Sequence, residues 1–216
     1  MAMDIYFLRH GETQWNHEKR LQGSTPYTDL TDFGVRLAEW TRDGFKARGV
    51  SFDRAYTSPL LRARHTAEIV ARGLGLEPVD DARLREMDFG AYEGSLIRDG
   101  EFADDNIRNC FRDPPRYVPP PGAESFEEVE ARLAAFLADE MRPLEGKCAK
   151  VLAVSHGYFM RMLVRHMMRA PLASIRGGRQ PNCCVHIVRL EGGVFHLVEQ
   201  GVVFYDQALA ATVPSV

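Results

Sequence analysis

Long apolar runs are missing from the 216 residues. The first, Ile5 to Leu8, lies directly behind Met1-Ala2-Met3-Asp4 and is far too short for a signal h-region or a membrane span, and nothing later reaches spanning length. Cysteine is scarce as well. Cys110, Cys148, Cys183 and Cys184 show no CxxC spacing, and the adjacent pair cannot form an unstrained bridge, so a reducing, cytoplasmic setting is expected. Positive charge is in no surplus: 27 Lys and Arg against 30 Asp and Glu leave a formal charge of -3. That removes the broad basic field needed to attract nucleic acid or an anionic membrane and leaves anion binding to local clusters. His17, His65, His166, His186 and His196 form no HxxxH pair with a third ligand, so no metal and no cofactor is expected. Internal repeats are absent, and the only biased tract is the proline cluster Pro114-Pro115 with Pro119-Pro120-Pro121.

What is present is 45% hydrophobic and 26% charged residues, the composition of a globular chain large enough to bury its own core. One domain over residues 1–216 is the expectation. Ile5-Tyr6-Phe7-Leu8 reads as a buried strand ending at Arg9-His10-Gly11. Phe33, Leu37, Trp40 and Phe45 recur at helical spacing from Asp32 to Arg48, and a second strand follows at Arg54 to Thr57. Ser58-Pro59 then suits a helix start, with Ser58 as the cap and Arg62 in the first turn, where a helix favours anions. From Ser95 to Gly122 the pattern dissolves into charges and prolines, which predicts an excursion at about 95–122 lying over a site. Helical periodicity returns from Ser125 to Met141. Val151 to Val154 repeats the design of the first strand and is followed by Ser155-His156-Gly157, then a helix to Met168. Val185 to Leu190 and Val194 to Val198 flank Glu191-Gly192-Gly193 as a hairpin. The alternation predicts an α/β fold, a three-layer sandwich whose mostly parallel central sheet is flanked by helices. Ligands collect at the carboxyl ends of the strands of such sheets, where Arg9-His10 and His156 fall.

A neutral imidazole is a competent nucleophile towards phosphorus, a neighbouring guanidinium supplies fixed donors, and Gly11 allows close backbone approach. Leu8-Arg9-His10-Gly11-Glu12-Thr13, with Asn16 and Arg20-Leu21-Gln22-Gly23, resembles the opening signature of the histidine phosphatase superfamily, the phosphoglycerate mutase-like family. Ser58-Pro59-Leu60-Leu61-Arg62-Ala63 resembles its second motif, Glu86 with Gly90 and Glu93-Gly94 its third, and Ser155-His156-Gly157 its fourth, in the family's order. The resemblance implies that His10 is transiently phosphorylated, that Arg9, Asn16, Arg62 and His156 bind the phosphoryl oxygens, and that Glu86 protonates the leaving oxygen without a metal. Gln22, Gly23 and Gly157 would contact the substrate, a small phosphomonoester; a homo-oligomer is compatible with the sequence. Taken alone, Arg62 reads equally as a surface ion-pair partner, and Asp88 is a rival carboxylate to Glu86.

Two departures bear on the pocket. The segment Ser24-Thr25-Pro26-Tyr27-Thr28-Asp29-Leu30-Thr31 is one residue longer than the family's pattern, and Tyr158 replaces a small or amide residue, which predicts a narrower pocket or an extra hydroxyl donor. The length from Glu93-Gly94 to Glu124-Ser125 resembles the small-phosphatase branch and favours hydrolysis. A mutase stays open, because Arg98, Arg108, Arg112 and Arg116 offer cations for a second phosphate. So does a phosphate-recognising interaction module that has lost turnover.

Overall fold

Strand β1 (Met3–Arg9) occupies the middle of the sheet, which is why its apolar run lacks polar alternation: Ile5, Phe7 and Leu8 are fully buried, pointing to opposite faces. The computed structural model describes residues 1–97, 102–175 and 180–212. After β1 come α1 (Gln14–His17), α2 (Asp32–Ala47), β2 (Arg54–Thr57), α3 (Leu61–Ala67), β3 (Val79–Asp80), α4 (Asp105–Arg112) and α5 (Phe126–Phe136). The chain continues through β4 (Lys150–Ser155), α6 (Gly157–Met168), β5 (Cys184–Glu191), β6 (Val194–Val203) and α7 (Gln207–Thr212). The strand order is β3-β2-β4-β1-β5-β6, with the first four mutually parallel and β5 and β6 antiparallel. This is the mostly parallel, helix-flanked sandwich expected.

Successive residues of β1 feed two separate cores. Ile5 and Phe7 pack with Val129 and Phe136 of α5 and with Phe159 of α6. Tyr6 and Leu8 pack with Leu37 and Phe45 of α2 and with Ala63 of α3. Each face of the sheet is therefore closed by its own helical layer. Among the described residues no helix is long and apolar enough to cross a membrane.

Some expectations shift. The helix after β2 begins at Leu61 with Leu60 at its cap position, not at Ser58: the Ser58 hydroxyl accepts weakly from the Leu60 amide and turns inward instead. Both α3 and α5 continue as one π-helical turn, to Arg72 and Met141. β6 runs to Val203, past the end of its apolar alternation. The excursion contains α4, capped by Asp104, whose carboxylate accepts from the Asn106 and Ile107 amides.

Candidate active site

The register of β1 and β4 builds the centre. Arg9 pairs with Ser155, so the residues that follow each strand, His10 and His156, emerge side by side, their ring centroids 5.2 Å apart at 56°. The His10 amide donates to the Ser155 carbonyl at 3.0 Å and extends the ladder by one step. β2 lies on the other side of β4 with Thr57 opposite Val154, which brings Ser58 beside His156. Gly11 is required by crowding, because a Cβ there would stand 2.6 Å from the Gly34 carbonyl oxygen.

The tautomer of His10 follows from its one partner. Nδ1 lies 2.7 Å from the Gly11 carbonyl oxygen, which can only accept, so Nδ1 carries the hydrogen and Nε2 carries the lone pair. Burial, and then the nearby Arg62 and Arg9, hold His10 well below the ordinary imidazole range, so it is neutral. His156 is depressed in the same way, first by burial and then by Arg62 and His10. Its Nε2 lies 2.8 Å from Ser58 Oγ. That hydroxyl accepts from Leu60, and among the described hydrogen bonds its own hydrogen has no acceptor besides His156 Nε2; donating there places the imidazole hydrogen on Nδ1.

That donor has no partner, and it is not alone. His156 Nδ1, Arg9 Nε and Arg62 Nε are all buried and unpaired. A buried unpaired donor is costly, and three around one imidazole describe a place prepared for an anion. Arg62 is wholly buried; its remaining nitrogens donate to the carbonyls of Gly23 at 2.7 Å and Thr25 at 2.9 Å and to the Thr28 hydroxyl at 3.1 Å. Burial lowers it to about 10, so it stays charged at neutral pH. The surface ion-pair reading of Arg62 is thereby overturned. Arg9 donates to the Gln180 carbonyl and passes over Gly157, where a Cβ would lie 3.3 Å from its Nε.

Glu86 is nearly buried and faces the start of α6. Its Oε1 accepts from the amides of Met87 at 3.0 Å and Phe159 at 2.8 Å, while Oε2 accepts only from the Tyr158 amide at 2.9 Å. Asp88, the rival carboxylate, is turned away to Ser24 and the Gly90 amide. Arg9, His10, Asn16, Gln22, Glu86 and Gly157 all border one cavity of 160 Å3. Arg62 and His156 pack around His10 without bordering that cavity, and Gly23 serves as an acceptor for Arg62. Asn16 caps α1 through Thr13 and also accepts from Asn182 at 3.1 Å. Among the described residues no three His, Cys, Asp or Glu side chains come together to hold a metal ion.

The longer loop after Gly23 is clamped by Glu93, which accepts from the Ser24 amide at 2.7 Å and the Thr25 amide at 2.8 Å. A Cβ on Gly23 would collide with that carboxylate at 1.9 Å. Gln22 donates to the Thr13 hydroxyl and keeps its buried Oε1 unpaired. Tyr158 does border the cavity, yet its hydroxyl is no donor there: it is given to the Cys110 carbonyl of α4 at 2.6 Å, and the ring stacks on Phe126. The excursion arginines also fall elsewhere. α4 turns Ile107 and Cys110 inward, so Arg108, Arg112 and Arg116 are exposed, and Arg98 lies outside the described residues. Two cations without an assigned role in the sequence, Arg20 and Arg161, border the cavity instead, with Arg161 5.9 Å over the Phe111 ring. Arg161 sits one helical turn after Gly157, a spacing that could have revealed it.

Comparison with known proteins accords with this geometry. Residues 5–202 match the family model described as the histidine phosphatase superfamily, branch 1. The Klebsiella pneumoniae protein named "Probable phosphoglycerate mutase GpmB" is 36% identical over 183 residues, 85% of this chain and 83% of that protein. The structure of Bacillus stearothermophilus YhfR is 32% identical with a TM-score of 0.80, covering 93% of this chain and 98% of that one. A mycobacterial glucosyl-3-phosphoglycerate phosphatase, solved with VO3, is 26% identical with a TM-score of 0.77, covering 93% and 99%.

Proposed function

Because the chain belongs to the histidine phosphatase superfamily, branch 1, we propose that it hydrolyses small phosphomonoesters through a phosphohistidine formed on His10. The observation that carries this reading is the lone pair of His10 Nε2 amid three buried, unpaired donors. In this scheme Nε2 attacks phosphorus, the bond from phosphorus to the alcohol oxygen breaks, and a proton from Glu86 goes to that oxygen. Oε2 is the atom to carry the proton, since it accepts one amide where Oε1 accepts two. Water then attacks phosphorus, Glu86 takes back a proton, and His10 leaves neutral with release of phosphate. Arg9, Arg62 and His156 Nδ1–H match the equatorial oxygens, and Asn16 assists; these donors offset the developing charge in place of a metal ion. Gln22, Gly23 and Gly157 shape the substrate's approach. The whole chain acts as one domain, and Ile97 and Phe111, from the described part of the 95–122 excursion, cover one side of the cavity. Four buried, unbridged thiols suit a reducing cytoplasm.

The mutase reading is favoured by the relative named a phosphoglycerate mutase. One experiment separates the two: incubation with a phosphomonoester panel and 3-phosphoglycerate, in chelator, following phosphate release and acid-labile, base-stable label on the protein. Phosphate release with label that His10→Ala abolishes is the expected result. Label with phosphate moving between glycerate hydroxyls and little release marks a mutase; neither marks the interaction module. Glu86→Gln slows substrates with poor leaving groups most, and equal slowing of all leaving groups would remove Glu86 from the acid role.

A further inference from the structure

A second cavity, 590 Å3 in volume, opens between α6 and the β5–β6 hairpin. It shares two bordering residues, Arg161 and Gln180, with the cavity at His10, so the two are neighbours across that pair. Three features of its wall point to a ligand. His186 is wholly buried and lies where the β5–β6 register shifts; its Nδ1 accepts from the Gly201 amide at 2.8 Å, so Nε2 carries the hydrogen. That Nε2–H is buried with no acceptor. Arg165, one turn along α6 from Arg161, gives one nitrogen to Glu130 and keeps a buried Nε–H that is likewise unpaired. The rest of the described wall is apolar or neutral, Val164, Met168 and Ile175 among it, and it contains no carboxylate.

Donors without acceptors and two arginines, on a described wall with no carboxylate of its own beyond the Glu130 that holds one nitrogen of Arg165, describe a receptor for an anionic group, and the apolar wall describes a carbon chain leading to it. Resting on the phosphomonoesterase reading above, we propose that this cavity is the distal subsite of the substrate: it takes the carboxylate or second phosphate of a bifunctional phosphomonoester whose phosphoryl end lies at His10. Arg161, its guanidinium 5.7 Å over the Tyr158 ring, stands at the passage between the two ends. Specificity is then set by the span between the two anions more than by the group that leaves.

The test is a series of phosphomonoesters of ω-hydroxy carboxylic acids of increasing chain length, with 4-nitrophenyl phosphate as the reference that does not reach the subsite. kcat/KM is expected to rise by about tenfold at the length that spans both cavities. Arg165→Ala removes that rise and leaves the reference rate unchanged, whereas Glu130→Gln, which removes the carboxylate shared by Arg165 and His166 but keeps the Arg165 guanidinium, preserves it. No length dependence, or an equal loss on the reference, overturns the subsite. The matching ω-carboxyalkyl phosphonates, titrated calorimetrically, read the same dependence without turnover. Arg165-dependent, length-dependent binding with no hydrolysis keeps the subsite and removes the hydrolase reading. Arg165-dependent binding of a simple alkyl carboxylate with no length effect marks a separate anion site and overturns the substrate assignment.

Discussion

The histidine proposed as nucleophile owes its reactivity to a hydrogen bond it makes with its own chain. Because Gly11 accepts from Nδ1, the lone pair on Nε2 is set before any substrate arrives, and burial between Arg9 and Arg62 keeps a proton from occupying it. The imidazole nitrogens of His10 are therefore expected to show the Nδ1–H tautomer in 15N spectra with no titration between pH 7.5 and 6. A midpoint near 6.5 would contradict the burial. Ser58 has the corresponding task for His156, whose donor hydrogen is placed on Nδ1 by the hydroxyl at Nε2. Ser58→Ala should let both tautomers of His156 exist, visible in the same spectra, and lower kcat/KM by about 10- to 100-fold through partial loss of one phosphoryl donor. Unchanged spectra alongside unchanged rate would show that His156 is oriented by packing alone.

Among the elements, the loop after Gly23 has the greatest leverage on the site, because its carbonyls engage two nitrogens of Arg62 while Glu93 holds its amides. Glu93→Gln would turn an amide N–H2 against the backbone N–H of Ser24 or Thr25, replacing an acceptor by a donor. The expected results are a loss of about 1–3 kcal/mol in stability and a KM raised by up to the corresponding factor, about 5- to 150-fold, for every phosphomonoester, since the phosphoryl end is shared by all. A change confined to some leaving groups would place Glu93 at the alcohol end instead. Much of the frame could be read from the sequence for a local reason: β1 and β4 are short apolar runs that end in polar histidine segments, and α2 and α5 repeat at 3.6 residues. What could not be read was set by distant partners. α4 shows only Ile107, Cys110 and Phe111 as inward residues amid charges, and its place is decided by Tyr158, whose hydroxyl reaches the Cys110 carbonyl 48 positions away. Gln180 reaches Arg9 from the segment before β5, and no local pattern marks it. Ser58 reads as a cap because caps and buried hydroxyls use the same residue types; its distant partner His156, the residue after β4, decides otherwise.

For the molecule as a whole, the buried histidines tie stability to pH. His10, His156 and His186 are each at most 2% exposed, and burial is the first cause that lowers all three, His186 to about 4. In the unfolded chain they titrate near the ordinary imidazole value of about 6.5. Above that value neither state binds the protons and the histidines leave stability unchanged. As pH falls below it, the unfolded chain takes up protons that the folded chain refuses, so stability falls, and it continues to fall towards the folded values. Each fully refused proton costs about 1.4 kcal/mol per pH unit, so the three together approach about 4 kcal/mol per unit. Carboxylates titrate mostly lower, which makes pH 6.5 to 5.5 the diagnostic window. Urea unfolding at half-unit steps should give a flat midpoint from pH 8 to 7 and a decline that steepens towards 5.5. A flat line through that window would mean the imidazoles are protonated in the folded protein. His10 would then lack the lone pair that its proposed attack on phosphorus requires.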